Sequence, residues 1–100
     1  MMKQPELAKI QKKLQKQLPY LTERYNVESL GIFGSYVRHQ QNPDSDLDLL
    51  VTFRESQGLL KFLELENYLS DILGIKVDLV MKSALKPRIG ARILNEVIPV

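Results

Sequence analysis

The sequence predicts an α/β or α+β domain built on one small sheet, and three observations carry that expectation. Segments 46–53 and 75–81 alternate apolar and polar residues with the period of a half-buried strand. Segments 5–26 and 58–73 repeat apolar residues at spacings of three and four, the stripe of an amphipathic helix. The chain has 100 residues, 44% apolar and 26% charged, which suits one globular core and neither two domains nor a disordered chain.

The first helix is expected from Pro5 to about Asn26, with Leu7, Ile10, Leu14, Leu18 and Leu21 along its apolar stripe. Pro19 should break or kink it near Leu18, because proline has no N–H to donate and its ring crowds the preceding turn. Lys3, Lys9, Lys12, Lys13 and Lys16 make this helix basic against Glu6 alone. A solvated lysine face is the ordinary explanation, and a docking surface for an acidic partner is the alternative. Val27 to Phe33 reads as a strand entering a turn at Gly34, Ser35 to Gln40 as a short helix, and 41–45 as a polar loop around Pro43. In the next strand, Leu47, Leu49, Val51 and Phe53 point one way; Asp46, Asp48, Leu50 and Thr52 point the other. A helix from Gly58 to Leu73 stops at Gly74. The strand from Ile75 to Met81 sets Ile75, Val77, Leu79 and Met81 against Lys76, Asp78 and Val80. A last helix follows Pro87 with Ile89, Ile93, Leu94 and Val97 on its stripe, and the apolar end Val97–Val100 is expected either to join an interface or to pack on the sheet.

Composition removes several classes of function. With 14 basic and 12 acidic residues the net charge is +2, too balanced for a nucleic-acid-binding surface, so direct nucleic-acid binding is not expected. The absence of cysteine removes disulfides, thiolate metal sites and a cysteine nucleophile. The N-terminus lacks the apolar run of a signal peptide, and no stretch approaches the ~20 apolar residues of a membrane span, so a soluble cytoplasmic protein is expected.

The chemistry-bearing residues lie around the second strand. Asp46 and Asp48 are two apart, so their carboxylates leave the same face about 6–7 Å apart. Asp78 repeats the pattern on another strand, and neighbouring strands would bring three carboxylates to one patch. Like charges so close raise one another's pKa unless a cation neutralises them. An all-oxygen ligand set suits Mg²⁺ or Mn²⁺. A lone Asp-x-Asp is more often merely solvent-facing; the third aspartate and the segment before it shift that balance. That segment, Leu30-Gly31-Ile32-Phe33-Gly34-Ser35, is expected to run a strand into Gly-Ser and then a helix, whose N-terminal amides and dipole favour phosphate, with Gly34 allowing close approach and the Ser35 hydroxyl donating. Taken alone, Ser35 is an N-cap and Gly34 a turn residue. Arg38, three residues on, either contacts a phosphate or pairs with an aspartate to hold the loop. Asp44, Asp46, Asp48 and Glu55 also match four positions of a calcium-binding EF-hand loop, but that loop needs glycine where Leu49 stands, and 47–53 alternates as a strand.

The assembled pattern, Gly34-Ser35-Tyr36-Val37-Arg38 and then Ser45-Asp46-Leu47-Asp48-Leu49-Leu50-Val51, resembles the signature of the DNA polymerase β-like nucleotidyltransferases, and within them the minimal nucleotidyltransferase (MNT) group. Val77-Asp78-Leu79-Val80 and the closing Leu85-Lys86-Pro87-Arg88 … Ile98-Pro99 are similar to the family's as well, so the resemblance spans nearly all of residues 1–100, read as one domain. It implies a single small mixed sheet flanked by helices. It also implies that Gly34 and Ser35 hold a triphosphate, that Asp46 and Asp48 ligate metal, and that Asp78 lies by the attacking hydroxyl. His39 stands where a small residue is common, which bears only on the shape of the loop. Members of the group are commonly antitoxins paired with a HEPN-domain ribonuclease toxin, so the resemblance implies transfer of AMP from ATP to a tyrosine of such a partner. A 100-residue chain leaves little room for an acceptor domain, which fits an acceptor carried by a partner. The expected mechanism uses two Mg²⁺ ions held by Asp46, Asp48 and Asp78, with Asp78 a candidate general base. The alternatives are an antitoxin that occludes its partner without turnover, and a transferase acting on a small molecule.

Overall fold

The computed structural model describes residues 7–42 and 44–100; the expected start of the first helix at Pro5, the charges of Lys3 and Glu6, and Pro43 lie outside the described residues. Helix α1 (Leu7–Tyr25) is followed by strands β1 (Val27–Phe33) and β2 (Leu47–Phe53), helix α2 (Leu59–Leu73) and strand β3 (Val77–Met81). A short 3₁₀ turn, Lys82–Ala84, then leads into helix α3 (Pro87–Glu96) and the two-residue strand β4 (Ile98–Pro99). The four strands form one mixed sheet in the order β3-β2-β1-β4, with β2 and β3 parallel and the other pairs antiparallel. The α+β expectation is met.

The core follows from the alternation. Leu47, Leu49 and Val51 of β2 and Val77 and Leu79 of β3 are buried against Ile10, Leu14 and Leu21 of α1 and Leu65 and Leu69 of α2. Strand β1 reaches the same core despite a broken alternation: a bulge between Val27 and Ser29 lets Val27 and Leu30, three apart, both face inward. Lys9, Lys12, Lys13 and Lys16 are exposed, the solvated face of the ordinary reading.

Three sequence expectations are corrected. Helix α1 runs unbroken through Pro19. Pro19 is exposed, so the carbonyl it strands faces water, while Leu14 and Leu21 on either side are fully buried and hold both halves on one core. Residues 35–39 form hydrogen-bonded turns and no helix, with the Val37 and Arg38 amides both donating to the Gly34 carbonyl and His39 left-handed at φ +57°. Strand β2 begins at Leu47, so Asp46 precedes it, and β3 begins at Val77, two residues later than Ile75. Of the two expectations for the apolar C-terminus, packing on the sheet is met, as an edge strand: Gly31 and Ile32 pair with Pro99 and Ile98, and the Val100 amide donates to the Leu30 carbonyl.

Two devices fix the strands that carry the aspartates. On the outer edge of β3, the Val77 amide donates to Ser70 Oγ at 3.0 Å and the Leu79 amide to Glu66 Oε2 at 2.9 Å, so α2 side chains satisfy the edge on both sides of Asp78. On the other edge, Gly31 gives β4 room: a Cβ there would overlap the Val97 side chain. Gly31→Ala is therefore expected to destabilise the protein by about 1–3 kcal/mol through overpacking. A thermal melt reads the loss, and amide exchange at Val100 should accelerate if the strain is relieved by detaching β4.

Candidate active site

Asp48 and Asp78 face each other across the parallel β2–β3 pair, in direct register. Leu47 and Leu49 on either side of Asp48 are fully buried, and Val77 and Leu79 beside Asp78 are nearly so, which leaves the aspartates only the sheet's other face. The Asp78 carboxyl lies close enough to Asp48 to act on its titration, and Asp46 adds its charge. Burial first, then Asp78 and Asp46, push the Asp48 carboxyl up to about 6, and the Arg38 guanidinium offsets only part of that. Burial and the Asp46 charge also raise the Tyr36 hydroxyl, which is packed in the core beneath the turn.

On the other side of Asp48 comes Phe33, its register partner on β1, and then the turn. Gly34 is buried with φ +83°, a left-handed conformation that glycine adopts without strain. A Cβ on Gly34 would overlap the Asp48 carboxylate, so the loop backbone lies directly against the acid. Ser35 is half-buried in this turn. Of the six residues singled out by sequence, the structure joins Asp46, Asp48, Asp78 and Gly34 in one neighbourhood. Arg38 is there too but pairs with neither a motif aspartate nor a neighbour in the motif: its Nη1 donates to Glu96 Oε1 at 2.8 Å and its Nε to Gln40 Oε1 at 3.1 Å.

Glu96 is the residue that sequence reasoning missed. It is the last residue of α3, its Oε2 accepts the Gly34 amide at 2.8 Å, and with Arg92 it lines a cleft of about 230 Å³ shared with Phe33, Gly34, Arg38, Asp48, Ile89 and Ile93. Burial would raise its carboxyl, but the Gly34 amide and Arg38, with Arg92 behind, outweigh that and hold it below the usual carboxylate range. One signal was available. Glu96 is the only acidic residue after Asp78, and it stands at a helix C-terminus, where the backbone dipole disfavours an anion.

The donor chemistry fits a hard divalent cation. Asp48 and Asp78 stand in direct register with Asp46 nearby, and a bound cation would offset the like charge that Asp78 and Asp46 set against the Asp48 carboxylate. Among the described residues no three acidic or imidazole side chains form a ready-made cage. That matches the way Mg²⁺ is usually held, by one or two carboxylates completed by substrate phosphates. The cleft is smaller than the roughly 300–1,000 Å³ that encloses a whole small ligand, so it has room for part of one. A cleft of about 210 Å³ at the opposite end of β2 and β3, lined by Val51, Thr52, Phe53, Ser56, Gln57, Met81 and Ser83, contains no charged group.

Comparison with known proteins identifies the family of this sequence and fold. The family model for the nucleotidyltransferase domain matches residues 14–100. The protein adenylyltransferase MntA of Thermococcus cleftensis is 55% identical over 78 residues, covering 78% of this chain and 79% of that protein. A solved structure of a candidate minimal nucleotidyltransferase superposes with a TM-score of 0.80 at 33% identity, over 99% of this chain and 100% of that one. A complex of a tri-AMPylated Shewanella oneidensis HEPN toxin with an MNT antitoxin contains a chain of the same fold, with a TM-score of 0.66 at 20% identity over 90% of this chain and 67% of that one. No described helix is long and apolar enough to cross a membrane. The buried Gly34 turn set against Asp48, in a sheet and sequence shared with these proteins, makes the chain a member of the nucleotidyltransferase domain family, of the minimal, MntA-like kind.

Proposed function

We propose that this cytoplasmic domain, residues 1–100, transfers AMP from ATP to a tyrosine hydroxyl of a HEPN-domain toxin and so acts as its antitoxin. The observation that carries the reading is the contact between Gly34 and Asp48, which sets a turn suited to phosphate against an acid suited to metal. The adenylyltransferase named in Thermococcus cleftensis and the AMPylated toxin of the Shewanella oneidensis complex support the choice of group and acceptor.

In this reading the Gly34 amide, the Ser35 hydroxyl and Arg38 hold the triphosphate, and the buried walls of β2 and β3 keep Asp46, Asp48 and Asp78 on one side of it. Asp46, Asp48 and Asp78 would hold Mg²⁺, two ions in the full arrangement, which would supply neutralisation of triphosphate charge and acidification of the acceptor hydroxyl. The acceptor oxygen forms a bond to the α-phosphorus, the bond from that phosphorus to the bridging oxygen of the β-phosphate breaks, and pyrophosphate leaves. Asp78, exposed at the mouth beside Asp48, receives the hydroxyl proton. The test is incubation with labelled ATP, Mg²⁺ and the HEPN partner: label should appear on a partner tyrosine. An Asp48→Asn variant that neutralises the toxin as well as the native chain would establish occlusion instead.

A further inference from the structure

The Glu96 carboxylate makes the contacts that an anionic ligand of this turn would make. Its Oε2 accepts from the Gly34 amide and its Oε1 from Arg38 Nη1, both at 2.8 Å, and Arg92 lines the same cleft. Two oxygens of one anion thus take two donors, as two oxygens of a phosphate group do. Helix α3 contributes this anion from its C-terminal end, where the helix dipole disfavours it, so the contact is held by Gly34 and Arg38 against a local penalty.

We propose that Glu96 is an internal competitor for the phosphate site, occupying the Gly34 amide and Arg38 until a polyphosphate displaces it, and that it thereby sets how tightly nucleotide binds. The inference rests on the reading of this turn as a phosphate site. One N–H directed at a carboxylate oxygen does not serve a phosphate at the same time. A polyphosphate bound beside an undisplaced Glu96 would also face a like charge in a partly desolvated cleft, where screening is weak. The polyphosphate carries the greater negative charge, and Arg38 and Arg92 are positioned to follow it once Glu96 swings out. Displacement therefore uses part of the ligand's binding energy, and native affinity is lower than the turn alone would give.

Inorganic tripolyphosphate is the probe, in metal-free buffer at low salt, with binding read by calorimetry on the full chain. Glu96→Gln keeps the shape of the side chain and an oxygen for the Gly34 amide but removes the charge. It should bind tripolyphosphate about tenfold tighter than the native chain, with the difference narrowing at high salt. In the native chain, the Gly34 amide resonance should shift as tripolyphosphate saturates. A merely structural Glu96 would give equal or weaker binding in Glu96→Gln, and that result, or an unmoved Gly34 amide at saturation, would overturn the proposal. If Glu96→Gln does not fold, Glu96→Asp, which keeps the charge but shortens its reach, should still gain affinity. These readouts involve no nucleoside and no acceptor, so a failure of the transferase reading shows separately, as a native chain that labels no partner.

Discussion

Asp48→Asn is expected to abolish nucleotidyl transfer and, in the same metal-free protein, to raise the melting temperature. The loss of activity follows from removing a metal-holding carboxylate, worth several kcal/mol of charge stabilisation, or on the order of 10³-fold in rate. The gain in stability follows from the raised carboxyl. Folding lifts Asp48 from 3.8 to about 6, so between those values the folded state binds more protons than the unfolded one. Stability therefore falls as pH rises from about 4 to 6, and at neutral pH the native carboxylate is a cost that asparagine removes. The side chain is partly solvated, so the cost is discounted for screening to about 1 kcal/mol, worth roughly 4–8 °C in a domain of this size. Differential scanning calorimetry of both proteins in chelator checks the direction. The same carboxyl predicts that native transfer falls as pH drops through about 6 at limiting Mg²⁺, and that more Mg²⁺ moves the midpoint lower. An unchanged melting temperature would mean that burial and the neighbouring carboxyls together do not penalise the Asp48 carboxylate in the folded protein.

Gly34→Ala should damage both fold and chemistry, while Gly58→Ala should do neither. At Gly34 the backbone is left-handed at φ +83° and the new Cβ would meet the Asp48 carboxylate, whereas at Gly58, with φ −67°, nothing lies within 4 Å. The strained backbone and forced shift should together cost about 1–3 kcal/mol. Displacing Asp48 by even ~1 Å should lower transfer by about 10²-fold, because the reaction depends on alignment. Thermal melts and single-turnover transfer at saturating ATP measure the two effects. Transfer restored by saturating ATP would show that Gly34 contributes to affinity alone.

What the sequence revealed and what it hid divide along physical lines. Alternation in 47–53 and 77–81 was legible because buried and open faces of one sheet impose a period of two, and the same period assigned Asp48 and Asp78 to the open face. The Gly74 stop was legible because a helix ending in a left-handed residue favours glycine, and its φ is +66°. The continuity of α1 through Pro19 was hidden, because tertiary burial of Leu14 and Leu21 outweighs a local propensity that the sequence does show. Strand β4 is two residues long and is defined only by its pairing with Gly31 and Ile32, so no local pattern marks it. Glu96 was hidden for the same reason: its bond to the Gly34 amide joins residues 62 apart. Arg38 could not be assigned without Glu96, since its partner lies 58 residues away and outside the motif.

The central claim is that this domain moves the nucleotidyl group and not the terminal phosphoryl group. The direct measurement uses two batches of ATP, labelled at the α- or the γ-phosphate, each incubated with the native chain, Mg²⁺ and the HEPN partner. The account predicts α-label on the partner, γ-label released as pyrophosphate, and neither transfer nor release with Asp48→Asn. Label from the γ-position on the partner, or α-label transferred equally well by Asp48→Asn, would contradict it.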